Sequence, residues 1–196
     1  MVAIAGARRA TPADVDGITD IVTLAFAEDP VWSRPLSALD GEGRRSFWRL
    51  FVEGALRYAW TWLLEDGAAT ALWIPPGGSE LSAEQEDRLS DVATRLGQEQ
   101  ERFGELMHRF EAAHPREPHY YLSILATHPD HRGRGLGMGL LAHTLTLIDQ
   151  ERVGAYLESS NPANIRRYES VGFAPISEIA YSEPGPVVTT MWRPAR

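Results

Sequence analysis

A chain of 196 residues, 43% hydrophobic and 23% charged, is long enough to bury a core without staples and has ordinary globular composition, which excludes disorder and fibrous architectures. It contains no cysteine, so disulfides, thiolate metal sites and acyl transfer through a protein thiol are excluded. The net charge of −8, from 19 Lys and Arg against 27 Asp and Glu with no basic run, makes nucleic acid a poor partner and only weakly favours cationic ones.

The opening Met1-Val2-Ala3-Ile4-Ala5-Gly6-Ala7-Arg8-Arg9 puts its basic pair after a short apolar run, the reverse of a signal peptide. No apolar stretch approaches the roughly 20 residues a bilayer requires, so the chain reads as cytoplasmic with no membrane partner. Thr11-Pro12-Ala13-Asp14 starts a helix, with Thr11 as N-cap, and Val15, Ile18, Ile21, Val22 and Ala25 continue at helical spacing until Asp29-Pro30. A second helix over about 43–58 carries Phe47, Leu50, Phe51 and Leu56. Residues 59–65 and 69–74 flank Asp66-Gly67 and read as a hairpin that Pro75-Pro76-Gly77-Gly78 ends.

Ser82 and Gln85 have capping-box spacing, and behind them Leu89, Val92, Ala93, Leu96, Phe103, Leu106, Met107 and Phe110 trace one helical stripe that Gly97 and Gly104 are positioned to break. Residues 119–127 favour a strand, 135–152 a helix and 155–160 a second strand, a right-handed unit with parallel strands if both join one sheet. A short helix over 161–170 follows, then a hairpin of 174–181 and 187–192 around Glu183-Pro184-Gly185-Pro186.

The segment Thr127-His128-Pro129-Asp130-His131-Arg132-Gly133-Arg134-Gly135-Leu136-Gly137-Met138-Gly139 lies between a strand and a helix. Its glycines admit close approach, and free amides at a helix N-terminus suit a pyrophosphate, with Arg132 and Arg134 adding charge at the rim. The P-loop order of glycine, four residues, glycine, lysine and hydroxyl does not occur. A dinucleotide fingerprint fits Gly137-Met138-Gly139-Leu140-Leu141-Ala142 with Glu158 downstream, but it must begin where a strand ends, and here the strand stops well before. His128 and His131 have metal-like spacing, yet beside an anion site no metal is expected. The remaining pattern is arginine or glutamine, two residues, glycine, one residue, glycine or alanine, fitted by Arg132, Gly135 and Gly137.

That pattern resembles the coenzyme A loop of the GNAT superfamily of N-acetyltransferases. A second match lies downstream, where Asn164, Tyr168, Gly172 and Phe173 fall at the superfamily's places beside the thioester. The resemblance implies an α/β (α+β) fold: a mixed, mostly antiparallel twisted sheet with a splayed parallel strand pair, flanked by helices, with a helical insertion in the first half. It implies one domain over 1–196, monomeric or homodimeric, with acceptor specificity in about 32–114 and the acetyl-CoA-binding core in 117–192. Tyr121-Leu122-Ser123-Ile124-Leu125-Ala126, Tyr156-Leu157-Glu158-Ser159-Ser160, Arg167-Tyr168-Glu169 and Glu183-Pro184-Gly185-Pro186 before Met191 further resemble the puromycin N-acetyltransferase branch. An antibiotic-like amine or aminated metabolite is the acceptor this implies; the alternatives are acetylation of a protein N-terminus or lysine, which requires an open groove, and an acyl-CoA-binding module that kept the coenzyme site and lost turnover.

By the same resemblance Leu125, Ala126 and Thr127 pair with the pantetheine arm. The amides of Gly133, Arg134, Gly135, Leu136, Gly137 and Met138 hold the pyrophosphate, and Asn164 bonds the coenzyme. Arg132 stands where many members carry glutamine and Met138 where a small residue is frequent; neither change removes an amide. A phenol, with a reference pKa near 10, stays protonated beside a leaving thiolate, which makes Tyr168 the candidate acid. Glu158, at the end of the second parallel strand, is the candidate base, with bonding to backbone amides or a substrate hydroxyl as its alternative role. Glu28 and Asp29 end the first helix, where such proteins often build the acceptor pocket, and the favoured reading of the pair is solvated surface charge. Trp32, Trp48, Trp60, Trp62 and Trp73 either line an aromatic pocket or belong to the core.

Overall fold

The computed structural model describes residues 4–64, 67–182 and 184–196. Glu65 and Asp66 of the first expected hairpin, Glu183 of the last, and residues 1–3 lie outside them. Among the described residues seven strands form one sheet in the order β1-β2-β3-β4-β5-β7-β6: β1 (Ala7–Arg9), β2 (Thr61–Leu64), β3 (Ala69–Ile74), β4 (His119–Thr127), β5 (Gly154–Ser159), β6 (Ala174–Ala180) and β7 (Val187–Arg193). All neighbours are antiparallel except β4 and β5. The helices are α1 (Val15–Ala25), α2 (Ser33–Leu36), α3 (Gly41–Leu56), α4 (Ala83–Thr94), α5 (Gln100–Ala113), α6 (Leu136–Glu151) and α7 (Ile165–Glu169). None of them is long and apolar enough to cross a membrane.

Local chemistry sets the helix starts. A 3₁₀ turn, Pro12–Asp14, precedes α1, and the Asp14 carboxylate accepts from the Thr11 amide at 2.8 Å and from Arg8 at 2.6 Å. Asp40 caps α3 by accepting from the Gly43 amide at 2.7 Å, which starts that helix at Gly41, earlier than its apolar pattern announces. Ser82 and Gln85 close their capping box reciprocally. Gly97, with φ of 58°, separates α4 from α5 as expected, whereas Gly104 runs through the middle of α5 without a break. The segment expected as one helix over 161–170 is a 3₁₀ turn, Pro162–Asn164, followed by α7.

The two sheet faces carry separate cores. One packs Ile18, Val22, Phe47, Trp48, Leu50 and Phe51 of α1 and α3 over Leu63, Leu72, Ile124 and Ala126. The other packs Leu140, Leu141, Leu145 and Ile148 of α6 over Trp62, Trp73, Tyr120, Leu122 and Leu157. Tyr120 and Leu122 point to the α6 face, but Ile124 and Ala126 point to the α1 face. An unbroken strand cannot do this, because side chains alternate with period two. The change of phase is a β-bulge: Leu72 pairs Ile124 and Trp73 pairs Leu122, so Ser123 is the extra residue.

Candidate active site

The parallel pairing of β4 with β5 runs from His119 with Gly154 to Leu122 with Leu157 and stops there. Beyond that point β4 stays paired with β3 to Thr127, and β5 with β7 to Ser159. The two strands part like a fork, leaving the β5-facing side of Ser123–Thr127 unpaired within a cleft of about 740 Å³. Backbone donors and acceptors freed in this way are available to an extended guest.

Past β4 the glycine-rich turn closes one end of the cleft. Gly133 and Gly135 adopt φ of 77° and 73°, a left-handed backbone that other residues take at a cost. Gly135 caps α6, whose first amides have no carbonyl one turn back and face the cleft at Leu136, Gly137 and Met138. A Cβ on Gly137 would lie 2.5 Å from Thr127 Oγ1, so glycine lets α6 approach the end of β4 without displacing that hydroxyl. Open amides at a helix N-terminus backed by a side-chain-free approach fit a pyrophosphate. Arg132 lines the same end and donates to the Ala25 carbonyl at 2.8 Å, tying the turn to the end of α1.

At the fork itself lie two acids. Glu158 follows the last residue of β5 that pairs with β4 and accepts from Tyr121 OH at 2.8 Å and Tyr156 OH at 3.0 Å. Glu80, on the loop between β3 and α4, accepts from the hydroxyl of the bulged Ser123. Burial, opposed by the two tyrosine hydrogen bonds and assisted by the charge of Glu80, pushes the Glu158 pKa up to about 8. Burial likewise pushes Glu80 up to about 7. His114 Nε2 lies 3.7 Å from Glu158 Oε1, but burial lowers the imidazole pKa to about 4, so this is a polar contact between a neutral ring and the carboxyl.

Tyr168, buried on α7, faces the cleft. Its burial, reinforced by the charge of Asp29, pushes the phenol up to about 12 and keeps its proton in place. Asp29 is itself tethered, accepting from the Val31 amide at 2.9 Å and from Ser160 Oγ at 2.6 Å. The remaining wall is apolar: Phe26, Trp32, Trp48, Phe51, Met107 and Phe110. Trp32 stands at its centre, 5.6 Å from the Trp48 ring and 5.9 Å from Phe110.

Of the residues expected from sequence, Leu125, Thr127, Arg132, Gly133, Gly135, Leu136, Gly137, Met138, Glu158, Asn164 and Tyr168 all line the one cleft. Ala126 turns its methyl into the α1 face instead, and the exposed Arg134 leans on His131 at 3.1 Å outside the cleft. The Asn164 side-chain oxygen accepts from Arg167 at 3.0 Å. Glu28 is exposed at the rim. The tryptophans divide: Trp32 and Trp48 line the cleft, while Trp60, Trp62 and Trp73 pack on the α6 face, Trp73 donating to Thr144 Oγ1 at 3.1 Å. Sequence reasoning missed Glu80, Tyr121, Tyr156 and His114. Only the two tyrosines left a trace, one on each parallel strand, in register as Tyr121 with Tyr156.

Residues 57–173 match the model of the acetyltransferase (GNAT) family. The whole chain is similar to the solved structure described as histone acetyltransferase HPA2 and related acetyltransferase from Corynebacterium glutamicum, with 26% identity, TM-score 0.68, and coverage of 97% of this chain and 96% of that one. It shares its fold with arylalkylamine N-acetyltransferase 2 from Aedes aegypti at 16% identity and TM-score 0.72, over 97% and 98% of the two chains. The ribosomal-protein-S18-alanine N-acetyltransferase of Escherichia coli shares it at 16% identity and TM-score 0.53, over 96% and 92%.

Proposed function

The chain belongs to the acetyltransferase (GNAT) family, and from that membership we propose that it carries acetyl from acetyl-CoA to the amine of a small molecule by direct attack in a ternary complex. The observation that carries the small-molecule reading is the apolar wall of α3 and α5 side chains, Trp48, Phe51, Met107 and Phe110, over the acceptor half of the cleft. A pocket so walled suits a compact guest better than a polypeptide running through an open groove. The sequence motifs that resemble the puromycin N-acetyltransferase branch support an acceptor among antibiotic-like amines or aminated metabolites, met in the cytoplasm. Residues 32–114 serve its recognition and residues 117–192 bind the coenzyme.

Acetyl-CoA, when bound, supplies a thioester carbonyl and a thiolate leaving group. The amides from Gly133 through Met138, with Arg132 and Arg134 beside them, hold its pyrophosphate, and Asn164 bonds the coenzyme. The freed edge at Leu125, Ala126 and Thr127 holds the pantetheine arm, and a backbone amide there faces the developing oxyanion. Glu158 takes the proton that the acceptor nitrogen must lose, directly or through water. Tyr168 keeps its phenolic proton at neutral pH and gives it up at the leaving sulfur.

Purified protein mixed with acetyl-CoA and a panel of amines, with free thiol followed in time, tests the reading. Turnover with small amines is expected. Turnover confined to peptides, or coenzyme binding without turnover, contradicts it.

A further inference from the structure

Two half-hidden acids at the head of the fork, and the aromatic wall beside them, remain to be explained. Glu80 comes from a loop remote in sequence from both parallel strands, and two features hold it. Gly54 of α3 receives the backbone of Glu80 so closely that a Cβ there would overlap the Glu80 carbonyl oxygen. The bulged Ser123 receives its carboxyl. A second carboxyl, Glu158, stands on the other branch of the fork, held by the Tyr121 hydroxyl at 2.8 Å two residues before Ser123 on β4, and both acids line the same cleft. Placing two acids together away from water is unfavourable by itself, so the arrangement suits a guest that brings positive charge.

The neighbouring surface narrows that guest. Trp48 and Phe51 lie on the same stripe of α3 as Gly54, at helical spacing, so the aromatic wall begins next to the loop that delivers Glu80. Trp32 and Phe110 extend it across the cleft. The basic side chains of the cleft, Arg132 and Arg167, belong instead to the glycine turn and to α7. Of the other carboxyls lining the cleft, Glu28 is exposed at the rim and Asp29 is taken up by the Val31 amide and Ser160 Oγ, which leaves Glu80 and Glu158 as the acids that adjoin the rings.

We propose that Glu80 and Glu158 together form the ammonium-binding site of the acceptor, and that the acceptor is an amine cation carried on an aromatic body resting against Trp32, Trp48 and Phe110. Rings that face a cation contribute through their quadrupoles, and rings that face another ring contribute area and offset stacking. The inference rests on the acetyl-transfer reading of the same cleft and adds to it a recognition residue, Glu80, and a class of acceptor.

The test uses the intact protein with acetyl-CoA and four probes: phenethylamine, n-butylamine, the unreactive trimethyl(phenethyl)ammonium ion and the neutral phenethyl alcohol. Phenethylamine is expected to be acetylated with a kcat/KM at least about tenfold above n-butylamine. Trimethyl(phenethyl)ammonium is expected to inhibit competitively against the amine, and phenethyl alcohol to inhibit far more weakly. Glu80→Gln is expected to raise KM for phenethylamine at least about tenfold with little change in KM for acetyl-CoA, as loss of a charged hydrogen-bond partner does. The wild-type inhibition pair stands even if that variant folds poorly. Equal use of the two amines, equal inhibition by cation and alcohol, or a folded Glu80→Gln with unchanged KM overturns the inference. Acetyl-CoA that binds and turns over on such a result leaves acetyl transfer standing; acetyl-CoA that fails to bind removes both.

Discussion

Replacing Gly54 by alanine measures how tightly the Glu80 loop is seated on α3. Gly54 is buried inside that helix, where exchanging glycine for alanine ordinarily stabilises by about 0.5–1 kcal/mol through reduced backbone entropy. Here the added methyl overlaps the Glu80 carbonyl oxygen, sits 3.3 Å from its carbon and 3.5 Å from Leu81 Cδ2, and the obstacle is backbone. Relief requires the loop to move outward, and forced insertions of this size cost about 1–3 kcal/mol. The overlap offsets or exceeds the entropy gain, so Gly54→Ala is expected to be less stable than the parent by up to about 2.5 kcal/mol, a fall in Tm of up to about 10 °C for a domain this long. Acceptor KM rises at the same time as the carboxyl leaves Ser123. Gly104 is the internal control: it lies in the interior of α5 with nothing within 4 Å of its prospective Cβ, so Gly104→Ala should stabilise by the ordinary amount. Melting curves of both variants, with kcat/KM for an amine, decide the matter. A Gly54→Ala protein that melts above the parent, as Gly104→Ala should, refutes the close seating of the loop.

Tyr168→Phe should lower turnover at least about tenfold while coenzyme affinity, read by calorimetry, stays nearly unchanged; undiminished turnover rejects the acid assignment. As a base Glu158 works when deprotonated, so kcat/KM should rise as pH passes through its pKa of about 8 and level off above it, and Glu158→Gln should abolish that limb. Stability moves the other way. The folded carboxyl keeps its proton from the model-peptide value of 4.5 up to about 8 while the unfolded one releases it, so stability conferred below pH 4.5 is lost as pH climbs through 8, and denaturation of Glu158→Gln should show a shallower decline. Arg193, only 3% exposed, grips Asp149 of α6 at 2.6 and 2.8 Å and donates to the Val171 carbonyl behind α7 at 3.0 Å. Arg193→Met should therefore destabilise by about 2–4 kcal/mol in urea titration and loosen the helix that carries Tyr168.

What could be read from the chain was whatever is encoded locally. The glycine turn was legible because left-handed residues and a helix start leave their mark in residue type, at Gly133, Gly135 and Gly137. Tyr168 and Asn164 were legible through spacing, and the parallel unit through its alternation of strand and helix. Glu80 was not, because its place depends on an approach to Gly54 and on a bulge at Ser123, and neither changes the apolar pattern of 119–127. β1 and α2, at three and four residues, are too short to show a period and form only by pairing with β2 and packing against the core. Gly104 suggested a break that α5 overrides, since burial of Phe103, Leu106 and Phe110 outweighs the roughly 1 kcal/mol that an interior glycine costs. The tryptophans could not be divided by sequence, because which face of the sheet each occupies is set by strand register, and that register placed Trp62 and Trp73 under α6.

Every role assigned to this cleft presumes that a diphosphate rests on the open amides of the glycine turn. Calorimetric titration of the folded protein with acetyl-CoA, followed by desulfo-coenzyme A as competitor and by Gly135→Val as the variant whose side chain strains the left-handed cap of α6, addresses that presumption directly. Saturable binding in the micromolar range, displaced by the competitor and weakened in the variant, is the predicted result. Absence of saturable heat at millimolar coenzyme, on protein whose melting curve certifies its fold, would contradict it.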